Sequence, residues 1–425
     1  MPAIALVALD DWISTARLPE AFAGLGVSVV ALCKSGVPLQ HSRYLAAAAM
    51  STGDIRSDLE RLVEEYDPAA LIACDESAVR ELNPLVDNSA LSLQLRSLLR
   101  RSLSDPAGYR VVSSKWATGR LAEQLNIRVP KQSRIIAPDQ AMAFAGKVGY
   151  PIILKKENTY GGMGCYVCRS DRETLNNYHA LLLPPSLRKL RHWPGLLGVI
   201  HSFASRRVTG SGEPLIVQRY HEGELAFATA TARDGVMLGG FTVVAQRVNP
   251  APNGASTVVS VIDCPELLHA TEALIRQTRF SGFIGIDFIL DRTDGLPYLL
   301  EINPRPTPVC SLGRLLGLDL CNLFAANFVG VTLKPAAVPI SAGTIAFFPN
   351  EWLRSWRSPY LLDAYLDVPH DDPALLAHIY RALPLGRRIM LAIGLRGTLP
   401  PLECEPTQWR PFGIRSCTKT KTLKQ

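Results

Sequence analysis

Short apolar runs alternate with amphipathic helix patterns over the first hundred residues, and this alternation most restricts the fold. Runs at residues 4–9, 27–32 and 69–73 have the length and composition of buried β-strands. A helix pattern starts after Asp54 and places its apolar residues on one face: Ile55, Leu59, Leu62, Val63 and Tyr66. Apolar strands separated by such helices predict a parallel sheet covered on both faces. We therefore expect a Rossmann-like α/β domain over residues 1–110.

The turn after the first strand argues against a dinucleotide site in this domain. It reads Ala8-Leu9-Asp10-Asp11-Trp12. It therefore lacks the G-x-G-x-x-G pattern that lets backbone N–H groups approach a pyrophosphate. No dinucleotide is assigned to the domain.

From residue 111 onward the pattern becomes that of an α+β protein. Helix patterns cover residues 115–126, 138–148 and 265–278. Strand patterns lie at residues 152–156, 165–169, 215–220, 225–232, 237–245, 284–290 and 298–302. Glycine-rich connections favour antiparallel pairing of these strands. We expect a second domain over residues 111–332 and a smaller C-terminal region over residues 333–425.

Two apolar runs joined by a turn at residues 291–295 carry polar side chains that could meet. Asp287 interrupts the first run, and Glu301 and Asn303 lie in the second. Alternation puts Glu301 and Asn303 on one face of their strand, and a hairpin would place Asp287 across from them. Two carboxylates and an amide oxygen suit Mg²⁺. The alternative is a pair of ordinary edge-strand acids, which the cost of burying an acid in an apolar strand disfavours.

A lysine followed by a glycine-rich segment predicts phosphate binding. Lys155 ends an apolar strand, and Gly161, Gly162 and Gly164 follow it. Backbone N–H groups of such a loop can surround phosphate oxygens, although a plain hairpin is the commoner meaning of a glycine-rich turn. The Walker pattern is absent.

A third segment, residues 215–224, is an apolar strand that leads into an acidic turn. It contains Gln218, Tyr220 and Glu224. A connection of this kind can offer backbone groups to an adenine edge and a carboxylate to ribose hydroxyls. On its own the segment would carry little information.

These three segments, in this order and with Lys115 upstream, resemble the ATP-grasp superfamily over residues 111–332. The E-I-N-P-R-P sequence at 301–306 is similar to the metal and phosphate motif of carbamoyl-phosphate synthetase-like and purine-biosynthetic members, and G-A-S-T at 254–257 matches a loop of the former. The resemblance implies two α+β subdomains clasping ATP, preceded by a Rossmann-like preATP-grasp domain and followed by a small C-terminal region.

The resemblance also implies a role for individual residues. ATP contacts would come from Lys115, Lys155, Gly161, Gly162 and Gly164 at the phosphates, Gln218 and Tyr220 at the adenine, and Glu224 at the ribose. Asp287, Glu301 and Asn303 would hold Mg²⁺, with Mn²⁺ as an alternative, and the cation would keep both carboxylates ionised. Arg305 would contact the transferred phosphoryl group or the substrate carboxylate. Two departures, Asp287 in place of the commoner Glu and Lys156 in place of Pro, remove no required charge.

The activity implied by the resemblance is that of a carboxylate-amine ligase. Such an enzyme activates a small carboxylate as an acyl phosphate, releases ADP and joins the acid to an amine or similar nucleophile. Mg²⁺ and cationic side chains supply the catalysis by positioning and electrostatics, so no nucleophilic side chain is required. The alternatives are a carboxylating or phosphorylating enzyme that uses the same site, and a non-catalytic nucleotide-binding regulatory module. The complete set of charged residues disfavours the module.

The charge distribution does not predict a nucleic-acid partner. The net charge is +7, but the last 18 residues hold five basic residues and no acid, so the remainder carries only +2. We expect this end to be a mobile basic tail. A basic insertion at about residues 184–212, which includes Arg188, Lys189 and Arg191, is either a solvated face or the entry for an anionic substrate.

The remaining features predict a cytoplasmic protein without a membrane span. No apolar stretch reaches the roughly 18 residues that a spanning helix needs, and the N-terminus lacks the basic start of a secretory signal. Nine irregularly spaced cysteines do not form a disulfide framework, and Cys165 and Cys168 lack partners for a zinc site. The apolar balance is compatible with a homodimer.

Overall fold

The computed structural model describes residues 1–157, 164–183, 214–251, 254–335, 343–386, 388 and 415–416. Within them the chain forms a four-stranded parallel sheet, a four-stranded antiparallel sheet and an eight-stranded mixed sheet. No helix of the described segments combines the length and the apolarity needed to cross a bilayer. The described cysteines form no disulfide, and all of them except the half-buried Cys165 are buried.

The N-terminal sheet is entirely parallel, with strand order β3-β2-β1-β4. Its strands are β1 (Ala3–Ala8), β2 (Ser28–Cys33), β3 (Ala47–Met50) and β4 (Ala70–Ala73). Ile4 and Leu6 face one apolar cluster while Ala5 and Val7 face another, so both sides of the sheet are covered. The predicted Rossmann-like arrangement is confirmed. Edge strand β3 was not predicted, because a run of alanines has no strand signature.

Helices cover this sheet on both faces. They are α1 (Leu18–Ala23), α2 (Ile55–Tyr66), α3 (Glu76–Leu82) and α4 (Leu93–Ser102). The predicted start of α2 is confirmed, since the Asp54 carboxylate accepts a hydrogen bond from the Ser57 N–H at 3.3 Å. Short 3₁₀ turns at Ile13–Arg17, Pro38–His41 and Asn83–Leu85 complete the connections.

Two helices lead from this domain into the antiparallel sheet, whose strand order is β5-β8-β6-β7. The leading helices are α5 (Pro106–Val112) and α6 (Lys115–Gln124). The sheet consists of β5 (Gln132–Ile135), β6 (Ile152–Lys155), β7 (Cys165–Cys168) and β8 (Leu215–Arg219). Helices α7 (Pro138–Val148) and α8 (Asp171–Leu182) pack on one face of it.

The mixed sheet has the order β13-β12-β9-β10-β11-β14-β15, and the two-residue strand β16 (Arg415–Ser416) pairs with β11. Its long strands are β9 (Gly223–Arg233), β10 (Val236–Asn249), β11 (Ala255–Asp263), β12 (Gly282–Asp291) and β13 (Pro297–Asn303). Helix α9 (Pro265–Thr278) covers one face. A 3₁₀ turn at Cys310–Leu316 and helix α10 (Leu320–Phe328) lie on the other.

Residues beyond 343 extend the mixed sheet. The later elements are β14 (Thr344–Phe347), α11 (Asn350–Arg354), α12 (Tyr360–Asp363), β15 (Tyr365–Asp367) and α13 (Pro373–Ala382). Strand β14 pairs antiparallel with β11, and β15 pairs parallel with β14. One apolar core joins the N-terminal sheet, the mixed sheet and the elements beyond residue 343. It contains Ile4, Phe283, Phe324, Trp352 and Leu375.

Candidate active site

The β12–β13 hairpin brings the predicted metal ligands together. Asp287 lies directly opposite Glu301, and Gly285 lies opposite Asn303. The Asn303 side-chain amide donates a hydrogen bond to Asp287 Oδ1 at 3.1 Å. The predicted juxtaposition of two carboxylates and one amide is therefore present in the fold, and both acidic residues are half-buried.

Lys115 reaches the same carboxylates from the start of α6. Its ammonium nitrogen lies 2.8 Å from Glu301 Oε2. The helix start is held by Glu157, which accepts hydrogen bonds from the backbone N–H of Lys115 at 2.8 Å and of Trp116 at 3.1 Å. Glu157 follows β6, so the segment that carries Lys155 also fixes the position of Lys115.

Lys155 ends β6 and is almost fully buried, with 5% of its surface exposed. Its ammonium group donates a hydrogen bond to Gln218 Oε1 at 3.0 Å. Gln218 in turn donates to Gln132 Oε1 at 3.3 Å. Burial lowers the pKa of Lys155 to about 8. The Gln218 side chain thus orients Lys155, a contact that the sequence did not predict.

The electrostatics of the carboxylate pair fit a divalent cation. Burial, followed by repulsion from Glu301, raises the pKa of Asp287 to about 8. Burial also acts to raise the pKa of Glu301, but the nearby Lys115 ammonium outweighs it and holds that pKa below its usual range. A bound cation would neutralise the remaining negative charge. Within the described residues no group of three or more His, Cys, Asp or Glu could hold a metal. The candidate ligand set is the two carboxylates and the Asn303 amide that the hairpin brings together.

Arg305 is buried beside these ligands, with 6% of its surface exposed. Its Nε donates to Glu76 Oε1 at 2.9 Å, and one Nη donates to Asn303 Oδ1 at 3.3 Å. The guanidinium carbon lies 4.2 Å from the centre of the Trp12 ring. Glu76 and Trp12 belong to the N-terminal domain and were not among the predicted site residues. Their only signal in the sequence is their position just after β4 and β1, at the sheet edge where α/β proteins bind ligands.

A cavity of about 90 Å³ opens between the N-terminal domain and the metal-ligand hairpin. Polar and charged groups make up much of its lining: Glu76, Arg80, Tyr109, Ser113, Lys115, Glu301 and Asn303. Glu301 and Asn303, two of the candidate metal ligands, form part of its wall.

The other predicted nucleotide contacts are less completely defined. Gly164 has a positive φ of 77°, and its carbonyl accepts a hydrogen bond from the Lys156 N–H at 3.0 Å. Gly161 and Gly162 lie outside the described residues, as does the basic insertion at residues 184–212.

The connection between β8 and β9 joins the two sheets at the predicted adenine and ribose contacts. Tyr220 is half-buried in it, and Glu224 is exposed on β9. His221 Nδ1 lies 2.7 Å from Asp291 Oδ2, which ties this connection to the end of β12.

Comparisons with known proteins identify the fold. Residues 115–182 match the family model for the carbamoyl-phosphate synthase L chain, ATP binding domain. The biotin carboxylase domain dimer of Hydrogenobacter thermophilus 2-oxoglutarate carboxylase, in complex with MgADP, ADP and bicarbonate, has a TM-score of 0.55 and 16% identity over 78% of this chain and 71% of that chain.

Two synthetase structures are similar to the same extent. An ADP complex of N5-carboxyaminoimidazole ribonucleotide synthetase has a TM-score of 0.55 and 15% identity over 79% of each chain. The Staphylococcus aureus N5-carboxyaminoimidazole synthetase complexed with ADP has a TM-score of 0.53 and 14% identity over 78% of each chain. The chain therefore has the fold of these carboxylase and synthetase structures over about 78% of its length, and part of it matches an ATP-binding domain family. Both the predicted fold class and the resemblance to carbamoyl-phosphate synthetase-like ATP-grasp proteins are confirmed.

Proposed function

We propose that this protein is an ATP-dependent ligase that activates a small carboxylate as an acyl phosphate and joins it to an amine or similar nucleophile. The observation that carries the proposal is the cluster of Asp287, Glu301 and Asn303 with Lys115 and Arg305 beside it. Carboxylates that can hold Mg²⁺, with cationic side chains beside them, suit phosphoryl transfer. The fold shared with ADP-bound carboxylase and synthetase structures supports the use of ATP.

The residues divide the work of phosphoryl transfer. Mg²⁺, or Mn²⁺ in its place, would be held by Asp287, Glu301 and Asn303 and would offset charge on the ATP phosphates. Lys115 and Lys155 contribute fixed positive charge at the same point. Arg305 binds an anionic oxygen of the acid or of the transferred group. Because all these groups are placed before reaction, they stabilise developing charge without reorganising.

The proposal for the nucleotide end rests on the resemblance together with the position of the β8–β9 connection. The glycine segment with Gly161, Gly162 and Gly164 would lie over the phosphates. The adenine would lie beside Tyr220, and Glu224 would bind the ribose. Gln218 would act at this end by orienting Lys155, to which it is hydrogen bonded. We further propose a cytoplasmic protein that acts on small molecules and forms a homodimer.

A second candidate is an ATP-dependent carboxylase with bicarbonate as the activated acid. It is favoured by one observation, namely that the similar Hydrogenobacter structure is a biotin carboxylase domain bound to bicarbonate. The sequence has no Met-Lys-Met biotin-carrier segment. Because the similar structure holds bicarbonate, this acid should be included among the acids that are tested.

The test is product analysis with purified protein and Mg²⁺-ATP. Candidate acids, including bicarbonate, are added with and without hydroxylamine, and ADP, AMP, phosphate and hydroxamate are measured. Acid-dependent ADP and hydroxamate are expected, because hydroxylamine traps an acyl phosphate. AMP with pyrophosphate would show that the acid is activated differently. Nucleotide binding without turnover would favour the regulatory module.

Substitution of the metal ligands completes this test. Asp287→Asn and Glu301→Gln each remove a ligand charge while keeping the side-chain size, and we expect turnover to fall by at least about 10³-fold. The matched controls are Asp139→Asn and Glu272→Gln, at exposed positions on α7 and α9, which should retain full activity. Retained turnover in Asp287→Asn would remove the metal assignment.

A further inference from the structure

The guanidinium of Arg305 is enclosed by two residues from the opposite end of the chain. Glu76 accepts the hydrogen bond from Arg305 Nε at 2.9 Å. The guanidinium carbon lies over the face of the Trp12 ring, 4.2 Å from the ring centre. Arg305 is thus held by an ion pair and a cation–π contact, both at a buried position where each is stronger than in water.

Both residues lie at the carboxyl edge of the N-terminal sheet. Trp12 follows β1 and Glu76 begins α3 just after β4, and these two strands are adjacent and parallel. In open α/β sheets this edge is the usual ligand crevice. Here no glycine-rich turn follows β1, and the place of a ligand is taken by Arg305.

Hydrogen bonds of two acidic residues connect the loop after β1 with the start of α3. Asp75, fully buried, accepts from the backbone N–H of Leu9 at 2.7 Å and of Asp10 at 3.0 Å, and it also caps α3. Asp10 in turn accepts from the Ser77 N–H at 3.1 Å and from its hydroxyl at 2.7 Å. The loop that carries Trp12 is therefore hydrogen bonded to the start of the helix that carries Glu76.

Arg305 keeps donors for a ligand while it is held. A guanidinium has five N–H groups. Within the described residues, Arg305 uses one on Glu76, one on Asn303 and one on the Pro306 carbonyl. An anchored arginine with further donors can bind an anionic oxygen without first losing its own rotational freedom.

We propose that the carboxyl edge of the N-terminal sheet is a cradle for Arg305, in which Glu76 and Trp12 are positioning residues for the anionic oxygen that Arg305 binds. This inference rests on the proposed ligase function. The N-terminal domain would then contribute to catalysis by positioning Arg305, and this role needs no nucleotide site in that domain.

A double-mutant cycle on ADP release from Mg²⁺-ATP tests whether Glu76 acts through Arg305. We expect Glu76→Gln to lower kcat by about 10–100-fold, the effect of a small misplacement of a catalytic group. Nucleotide affinity, measured by calorimetry with Mg²⁺-ADP, should stay within about 2-fold. In an Arg305→Ala background the same substitution should change kcat by less than about 2-fold, because the residue through which it acts is gone.

Two further variants serve as controls for the cycle. Glu76→Asp keeps the charge and should recover part of the lost kcat, and Glu64→Gln, exposed on α2 of the same domain, should leave kcat unchanged. An additive effect of Glu76→Gln in the Arg305→Ala background would overturn the proposal, because Glu76 would then act independently of Arg305.

A second readout does not depend on activity. Phenylglyoxal modifies accessible arginines, and peptide mass spectrometry reports the rate at each site. Arg305 should react slowly in the wild type and faster in Trp12→Ala and Glu76→Gln, relative to the exposed Arg100 as internal standard. An unchanged rate in both variants would overturn the cradle. If wild-type protein releases no ADP with any acid, the proposed function fails, and the reactivity of Arg305 alone decides whether the cradle exists.

Discussion

Asp287 and Glu301 lie opposite each other on adjacent strands, so it is unfavourable to ionise both. As a result, the pKa of one of the two carboxyl groups is raised. Lys115 lies against Glu301 at 2.8 Å and favours its ionised form. Asp287 has the Asn303 amide as its hydrogen-bond partner, and burial together with Glu301 raises its pKa from 3.8 to about 8. Without metal, Asp287 therefore takes up a proton when the protein folds at neutral pH.

This uptake predicts a pH-dependent gain in stability for Asp287→Asn in the absence of metal. A raised pKa in the folded state means that the wild type loses stability as the pH rises from about 4 to about 8, whereas asparagine does not titrate. In EDTA, the Tm of the variant should match that of the wild type near pH 4. It should exceed it by a few degrees near pH 8.

Thermal unfolding at several pH values, with and without Mg²⁺, checks this prediction. Mg²⁺ should reduce the difference, since only the wild type gains from binding it. The Asp139→Asn control should show no such trend. A difference that does not change with pH would contradict the raised pKa of Asp287.

A close backbone contact between α5 and α9 fixes how the N-terminal domain joins the part of the chain that begins with α6. A Cβ atom on Gly108 would lie 1.9 Å from the Thr278 carbonyl oxygen at the end of α9. Because the neighbour is backbone, it cannot move aside as a flexible side chain would. The absence of a side chain at Gly108 thus allows α5 to approach α9, and α5 leads directly to Lys115.

We expect Gly108→Ala to destabilise the protein by about 1–3 kcal/mol, the usual cost of overpacking. The matched control is Gly146→Ala on α7, where no atom lies within 4 Å of the added Cβ. That substitution should stabilise the protein by about 0.5–1 kcal/mol through helix propensity alone. Urea unfolding measures both. Equal effects of the two substitutions would contradict the close contact at Gly108.

The N-terminal domain and the extension beyond residue 343 are held together by a buried ion pair. Arg17 donates to Asp367 Oδ1 from Nη at 2.9 Å and from Nε at 3.2 Å, and both side chains are buried. The two residues belong to opposite ends of the described chain but pack against the same apolar core. We therefore expect the N-terminal domain and this extension to unfold together.

Replacing one partner of this pair should be costly. Arg17→Met leaves Asp367 without its principal partner, and we expect a loss of about 3–5 kcal/mol. The double variant Arg17→Met with Asp367→Asn should lose less than the sum of the single changes. Arg120→Ala, which breaks an exposed pair with Glu123, should cost less than about 1 kcal/mol. Urea unfolding measures these losses, and a cost of Arg17→Met no greater than that of Arg120→Ala would contradict the stabilising role of the buried pair.

The sequence alone determined the local elements and the part of the site that lies on one hairpin. The periodicity at α7 and α9 predicted both helices with the bounds that they have in the structure. The alternation along β13 placed Glu301 and Asn303 on one face, and the turn before it brought Asp287 opposite. These features depend on contacts between residues close in the chain, which leave a periodic signature in the sequence.

Contacts between distant segments could be known only from the folded structure. Glu76 and Arg305 are 229 positions apart, and nothing in the local pattern of either segment indicates the other. The same is true of the hydrogen bond from Lys155 to Gln218, and of the way in which β14 and β15 extend the mixed sheet. Pairing of this kind depends on how whole elements pack around a shared core. The sequence therefore indicates which residues can carry a chemical function, whereas the partners of those residues become known only from the fold.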